Sequence, residues 1–164
     1  MEKNYILSPE VAAKKLKRMA YEILENNMGE TGFILAGIRE SGTAIAHTIQ
    51  DLLKEIAGLQ TELISVSLDK KNPKEVKVSR QLDYQNQVII LIDDVSNSGK
   101  TLLFAIKPFL DSSPKKIQAL VLVERSHKAF PVKPDYVGLS VSTTLQEHIY
   151  VEVENGRVKG AWLE

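Results

Sequence analysis

From Pro9 onward, apolar residues recur at helical spacing: Ala12, Leu16, Met19, Ala20 and Ile23. Ser8 can cap that helix, Pro9 suits its first position, and Glu10 complements its dipole. Gly29 and Gly32 mark the exit. Phe33 to Ala36 is a short apolar run ending at Gly37, which predicts a buried strand. The stretch Gly37-Ile38-Arg39-Glu40-Ser41-Gly42 reads as a loop. After it Ala44, Ile45, Ile49, Leu52, Leu53 and Ile56 line one face of a second helix. Thr61 to Leu68 is a further strand.

From 69 to 87 the pattern turns polar and charged, with weak alternation at Val76 and Val78. That predicts a long excursion, a hairpin or lid over a site. Val88-Ile89-Ile90-Leu91-Ile92 is the most apolar run in the chain. Unbroken β-branched and aliphatic residues predict a strand buried on both faces, as in a parallel sheet covered by helices. A helix is expected from about Gly99 to Leu110, and another strand from Ile117 to Val123. Tyr136 to Val141, Ile149 to Val153 and Val158 to Leu163 are shorter strand candidates. The alternation predicts a doubly wound α/β fold with a mostly parallel central sheet.

The 164 residues fit one domain spanning 1–164, and the 43% apolar content suffices to fill its core. The 21 basic and 21 acidic side chains cancel, which argues against bulk electrostatic capture of nucleic acid. No cysteine is present, so disulfide frameworks and thiolate chemistry are excluded. No apolar run approaches a membrane span, and no signal-like stretch opens the chain. A cytoplasmic protein is expected.

In open α/β sheets, ligands sit beyond the carboxyl ends of the strands. After the central strand come Asp93-Asp94-Val95-Ser96-Asn97-Ser98-Gly99-Lys100-Thr101. The later part suits a phosphate: Gly99 permits close backbone approach, Ser98 and Thr101 offer hydroxyls, Lys100 offers charge, and a helix follows. The bland alternative is an ordinary capped helix start. Asp93 and Asp94 would repel phosphate, but they can accept hydrogen bonds from sugar hydroxyls and bind hydrated Mg²⁺. Acids followed by a phosphate loop match a ribose 5-phosphate, which has a diol at one end and a phosphate at the other. A nucleoside-triphosphate loop would need glycine where Asp94 stands. Ile38, Arg39, Glu40 and Ser41 follow another strand and could receive a second anion, or form a plain turn with a solvated Arg–Glu pair.

Ile89 to Thr101, IILIDDVSNSGKT, resembles the 5-phosphoribosyl diphosphate (PRPP) motif of type I phosphoribosyltransferases. Ile34 to Arg39, Val121 to His127 and Pro131 to Gly138 look most like the PyrR branch. Those proteins are pyrimidine-operon attenuators that also act as uracil phosphoribosyltransferases. The resemblance implies a type I phosphoribosyltransferase fold with a flexible loop and a hood. Asp93 and Asp94 would hold the ribose hydroxyls, Ser96 to Thr101 the 5-phosphate, and Ile38 to Ser41 the diphosphate. Arg125 and the segment after it, including His127, would lie near the base, with Mg²⁺ carried by PRPP and Asp93 or Asp94 as its protein ligands. Lys70 and Lys71 would be lid cations, and a homodimer or higher homo-oligomer is expected.

The chain departs from the branch in three places. Ser41 replaces an Arg of the usual Gly-Ile-Lys-Thr-Arg-Gly. Leu68-Asp69-Lys70-Lys71 stands where Tyr-Arg-Asp-Asp is usual. Leu139 to Leu145 lacks Asn-Ile-Pro-Thr.

Transfer of ribose 5-phosphate from PRPP to a nucleobase, uracil favoured, is therefore the expected activity. An RNA-binding regulator and a hypoxanthine or guanine phosphoribosyltransferase are the alternatives. Lys14, Lys15, Lys17 and Arg18 on the first helix read as a solvated face or an RNA contact. His47 is expected in packing or at the surface, His148 exposed, and Trp162 as a packing anchor or dimer contact. The three histidines lack zinc-ligand spacing.

Overall fold

A computed structural model describes residues 2–69, 71–142 and 147–164. The order is β1 (Asn4–Leu7), α1 (Pro9–Asn26), β2 (Phe33–Ile38), α2 (Arg39–Ala57), β3 (Glu62–Ser67), β4 (Lys77–Val78) and β5 (Val88–Ser96). Then come α3 (Lys100–Ala105), a 3-10 turn (Lys107–Phe109), β6 (Lys116–Arg125), β7 (Tyr136–Val141), β8 (Ile149–Glu154) and β9 (Arg157–Leu163).

The main sheet has the order β4-β3-β2-β5-β6-β7 and is parallel except for β4. Side chains alternate across it. Ile90 and Ile92 of β5 face one core with Leu16, Met19 and Ile23 of α1 and Ile45, Ile49 and Leu53 of α2. Ile89 and Leu91 face a second core with Leu102, Ala105, Phe109 and Tyr84. Burial on both faces is why residues 88–92 contain no polar side chain.

The connection from β2 through α2 runs to β3, on one side of the pair β2–β5. The connection from β5 through α3 runs to β6, on the other. The chain therefore changes direction between β2 and β5, and their carboxyl ends flank the crevice where such sheets bind ligands.

Several expectations are corrected. The loop at 37–42 is absent: β2 ends at Ile38 and α2 begins at Arg39, without a linker. Arg39 makes the corner with φ 57°, in the left-handed region. The helix expected to reach Leu110 ends at Ala105, and Pro108 lies in the 3-10 turn that follows. β1 went unforeseen; it joins β8 and β9 in a separate antiparallel sheet, ordered β1-β9-β8. The 69–87 excursion contains β4, paired through Val66↔Val78 and Ser67↔Lys77. It ends anchored, with Tyr84 buried edge-on against Phe109 at 4.9 Å between ring centroids.

Arg18 donates to the Val137 and Gly138 carbonyls, each at 3.0 Å, and so docks α1 onto β7. The basic cluster thus loses one of its four cations to packing. Trp162 stands in a surface row, stacked on Tyr150 at 5.6 Å and tilted against Tyr5 at 5.9 Å, with the Lys3 ammonium 3.9 Å from its ring centroid.

Candidate functional site

β5 continues through the acids instead of ending before them, pairing Asp93 with Val121 and Ser96 with Glu124. Each carboxylate accepts from the next amide. The Asp94 N–H donates to Asp93 Oδ1 at 2.9 Å, and the Val95 N–H donates to Asp94 Oδ1 at 2.7 Å. These bonds fix where the two acids point. Asp93 is only 1% exposed.

Beyond them, Asp93, Val95, Ser96, Asn97, Ser98, Gly99, Lys100, Thr101 and Leu102 line a cavity of about 190 Å³. Its loop is braced from outside. The Ser98 carbonyl accepts from the amides of Ala129 and Phe130, both at 3.0 Å. Gly99 has φ 88°, and a Cβ there would meet the Val132 carbonyl at 3.2 Å. The six-residue α3 supplies less dipole than the longer helix expected. The hydroxyls of Ser96, Ser98 and Thr101, the Lys100 ammonium and the loop amides are therefore the groups here with the chemistry to hold an anion.

Ile38, Arg39, Glu40, Ser41, Asp93 and Asp94 surround a second cavity of about 410 Å³. Two close approaches build it. A Cβ on Gly37 would lie 2.4 Å from Thr43 Cα, and one on Gly42 would lie 2.5 Å from the Ile92 carbonyl. Glycine at 42 is what lets α2 rest against β5 immediately before the acids. Arg39 Nε donates to the Leu68 carbonyl at 3.1 Å.

A third cavity, of about 440 Å³, is lined by Arg125, Ser126, His127, Lys128, Ala129, Val141 and His148, together with Asn97 and Ser98. Arg125 is buried; its Nε donates to Asn97 Oδ1 at 2.8 Å and its guanidinium also donates to the Glu147 carbonyl. Lys128 Nζ donates to the Arg125 carbonyl at 2.7 Å and to Ser96 Oγ at 3.4 Å, with Glu124 at 3.8 Å.

Asp93 is common to the first two cavities, and Asn97 and Ser98 to the first and third. The three are sections of one trough across the carboxyl ends of β2, β5 and β6, with the acids in its middle. The structure thus gathers Ile38 to Ser41, Asp93, Asp94, Ser96 to Thr101, Arg125 and His127 in one place. Lys71 is exposed and lies outside the lining of the three cavities. Lys70 lies outside the described residues, as do 143–146 within the Leu139 to Leu145 departure.

Lys128 falls in the segment after Arg125 that the resemblance places near the base, whereas His148 was not singled out from the sequence as a pocket residue. Lys128 follows Arg125 by three positions, so its place after the end of β6 was the available signal. His148 lies just before β8, far along the chain from β6, and nothing local marks it.

Among the described residues, no three acidic or histidine side chains are grouped to cage a metal. Two carboxylates beside room for a polyphosphate instead suit Mg²⁺ held by one or two acids, substrate oxygens and water.

Burial holds the Lys128 ammonium below its usual value, opposed by the Glu124 carboxylate. The folded state thus releases this proton before the unfolded chain does. The burial penalty is present in full below the lowered folded value and is relieved as pH rises toward about 10.4. In urea melts, wild type should therefore gain stability relative to Lys128→Met across that alkaline window. A constant difference between the two would show that the ammonium does not titrate early.

Comparison with known proteins agrees with this geometry. Residues 5–154 match the phosphoribosyl transferase domain family. The chain is 35% identical over 162 residues to the "Bifunctional protein PyrR" of Clostridium acetobutylicum, covering 93% of this chain and 91% of that protein. Its namesake from Haemophilus ducreyi is 32% identical, covering 94% and 92%. Among solved structures, the hypoxanthine phosphoribosyltransferase of Trypanosoma cruzi superposes with a TM-score of 0.79 at 10% identity, covering 99% of this chain and 96% of that one. A hypoxanthine-guanine phosphoribosyltransferase from Bacillus anthracis gives 0.76 at 20% identity, covering 91% and 88%.

Proposed function

The chain belongs to the phosphoribosyl transferase family, and from that premise we propose that it transfers ribose 5-phosphate from PRPP to a nucleobase, with uracil favoured. The observation that carries the reading is the continuous trough, with a phosphate cradle in one section and two oriented acids where it meets the next. PRPP has the same order of parts: a monophosphate, a diol and a diphosphate.

In this reading the loop 96–101 anchors the 5-phosphate. Asp93 and Asp94 accept hydrogen bonds from the ribose hydroxyls. The section around Arg39 and Ser41 receives the diphosphate, and the one around Arg125, His127 and Lys128 receives the base. A ring nitrogen forms a bond to C1 as the bond from C1 to the diphosphate oxygen breaks. The electron pair leaves with diphosphate, and the ring-nitrogen proton passes to water. Positive charge grows on the sugar in the transition state. A carboxylate at about 4 Å, in an effective dielectric of about 20, favours that charge by at most about 4 kcal/mol. Mg²⁺, when bound with PRPP, neutralises the departing diphosphate. No side-chain nucleophile is needed.

The relatives' name, "Bifunctional protein PyrR", supports a second reading: a regulator that uses the same pocket as a nucleotide or PRPP sensor and binds RNA. The zero formal charge and the docking of Arg18 weigh against tight RNA binding. The family resemblance also suggests a homodimer. No helix among the described residues is long and apolar enough to cross a membrane.

A screen of PRPP–Mg²⁺ with uracil, hypoxanthine and guanine tests the proposal. The expected product is uridine monophosphate with release of diphosphate. Turnover with purines alone would reject the uracil assignment, and no turnover with binding retained would favour the sensor.

A further inference from the structure

Resting on the phosphoribosyltransferase reading above, we propose that Glu40 strengthens the metal dependence of the diphosphate section: its carboxylate weakens capture of a metal-free diphosphate and favours capture together with a divalent cation.

Among the described residues, the charged side chains lining that section are one guanidinium, from Arg39, and three carboxylates, from Glu40, Asp93 and Asp94. Arg39 already spends its Nε on the Leu68 carbonyl. Asp93 and Asp94 have a reason to be there, since a sugar diol needs acceptors. Glu40 has none in binding an anion. A carboxylate has no proton to donate to a phosphoryl oxygen, so only its backbone N–H can help.

The position of Glu40 sharpens the effect. α2 is a 19-residue helix whose N-terminus opens on this cavity, and no side chain caps it. Such an end would otherwise attract the diphosphate through bare N–H groups and the helix dipole. Glu40 lies in the first turn. There it stabilises the helix and cancels part of the field that the ligand would use. A divalent cation reverses the balance, because the carboxylates then become attractive to the cation–diphosphate pair. The 5-phosphate section differs: Lys100 lines it and Glu40 does not. Glu40 should therefore leave capture of a sugar monophosphate unchanged.

Glu40 is exposed, so its effect is modest and screened by salt. A charge in a first helical turn corresponds to an affinity change of about two- to five-fold.

Titration calorimetry at low ionic strength, with inorganic diphosphate and with PRPP, each with and without Mg²⁺, tests this on wild type, Glu40→Gln and Glu40→Asp. Ribose 5-phosphate serves as the control ligand. Wild type should bind both diphosphate ligands more tightly with Mg²⁺. In Glu40→Gln that gap should shrink about two- to five-fold, through stronger metal-free binding. Glu40→Asp, which keeps the charge, should retain the wild-type gap, and all three should bind ribose 5-phosphate alike. An equal gap in wild type and Glu40→Gln, with ribose 5-phosphate still bound, would overturn the role of Glu40 and leave the family activity intact. Failure of wild type to bind PRPP with Mg²⁺ would overturn the underlying reading and this inference with it.

Discussion

Replacing Asp93 and Asp94 together by Asn should lower phosphoribosyl transfer by about 30- to 1000-fold. That corresponds to about 2–4 kcal/mol of lost transition-state stabilisation, no more than the Coulomb ceiling for one carboxylate because Mg²⁺ and solvent share the work. The effect should fall on kcat. Asn keeps an oxygen that can accept from a ribose hydroxyl, so the ground-state sugar is still held. What is lost is negative charge facing a sugar that becomes positive. Binding of ribose 5-phosphate, which also depends on the unaltered loop at 96–101, should change by much less than the transfer rate. Unchanged transfer rates in the double variant would remove both acids from the reaction.

Gly42→Ala should damage both stability and transfer. Its added methyl would stand 2.5 Å from the Ile92 carbonyl and 3.3 Å from Asp93 Cα, and both are backbone atoms that cannot rotate away. Overpacking of this kind costs about 1–3 kcal/mol. Alanine regains up to about 1 kcal/mol in helix propensity, which leaves a net loss. In a chain of this length, each kcal/mol lowers the melting temperature by about 2–4 °C. The larger consequence is positional. To relieve the clash α2 must lift off β5, and the segment that moves carries Arg39 to Ser41 at one side and Asp93 at the other. A displacement near 1 Å in a positioned site costs about 100-fold in rate. Gly58→Ala makes a useful contrast. Nothing lies within 4 Å of a Cβ there, so only the left-handed backbone, φ 63°, should be strained. That variant should melt lower yet keep its rate once folded.

The sequence made the central strand legible because burial on both faces leaves only apolar residues at 88–92. The acids and the phosphate loop were legible for a related reason. They are contiguous, and their chemistry changes from acceptors to donors within a few residues. What was not legible depends on tertiary packing. β1 holds four residues, of which Asn4 and Tyr5 are exposed, and it is defined by pairing with β9 at the far end of the chain. The direct junction of β2 and α2 looked like a loop because glycines at 37 and 42 usually mark one. Here they serve close approach, and only the neighbours at 2.4 and 2.5 Å reveal it. The contribution of His148 to the third cavity brings the residue before β8 against the segment after β6, which no local spacing records.

The central claim is that the turn after β5 holds the sugar phosphate while the paired acids hold its diol. Titration calorimetry of the wild-type protein with PRPP and Mg²⁺, repeated with ribose 5-phosphate as competitor, tests it most directly. One binding event per chain, weakened in proportion to the competitor, is the predicted result. An absence of heat, or binding that ribose 5-phosphate leaves untouched, would contradict it.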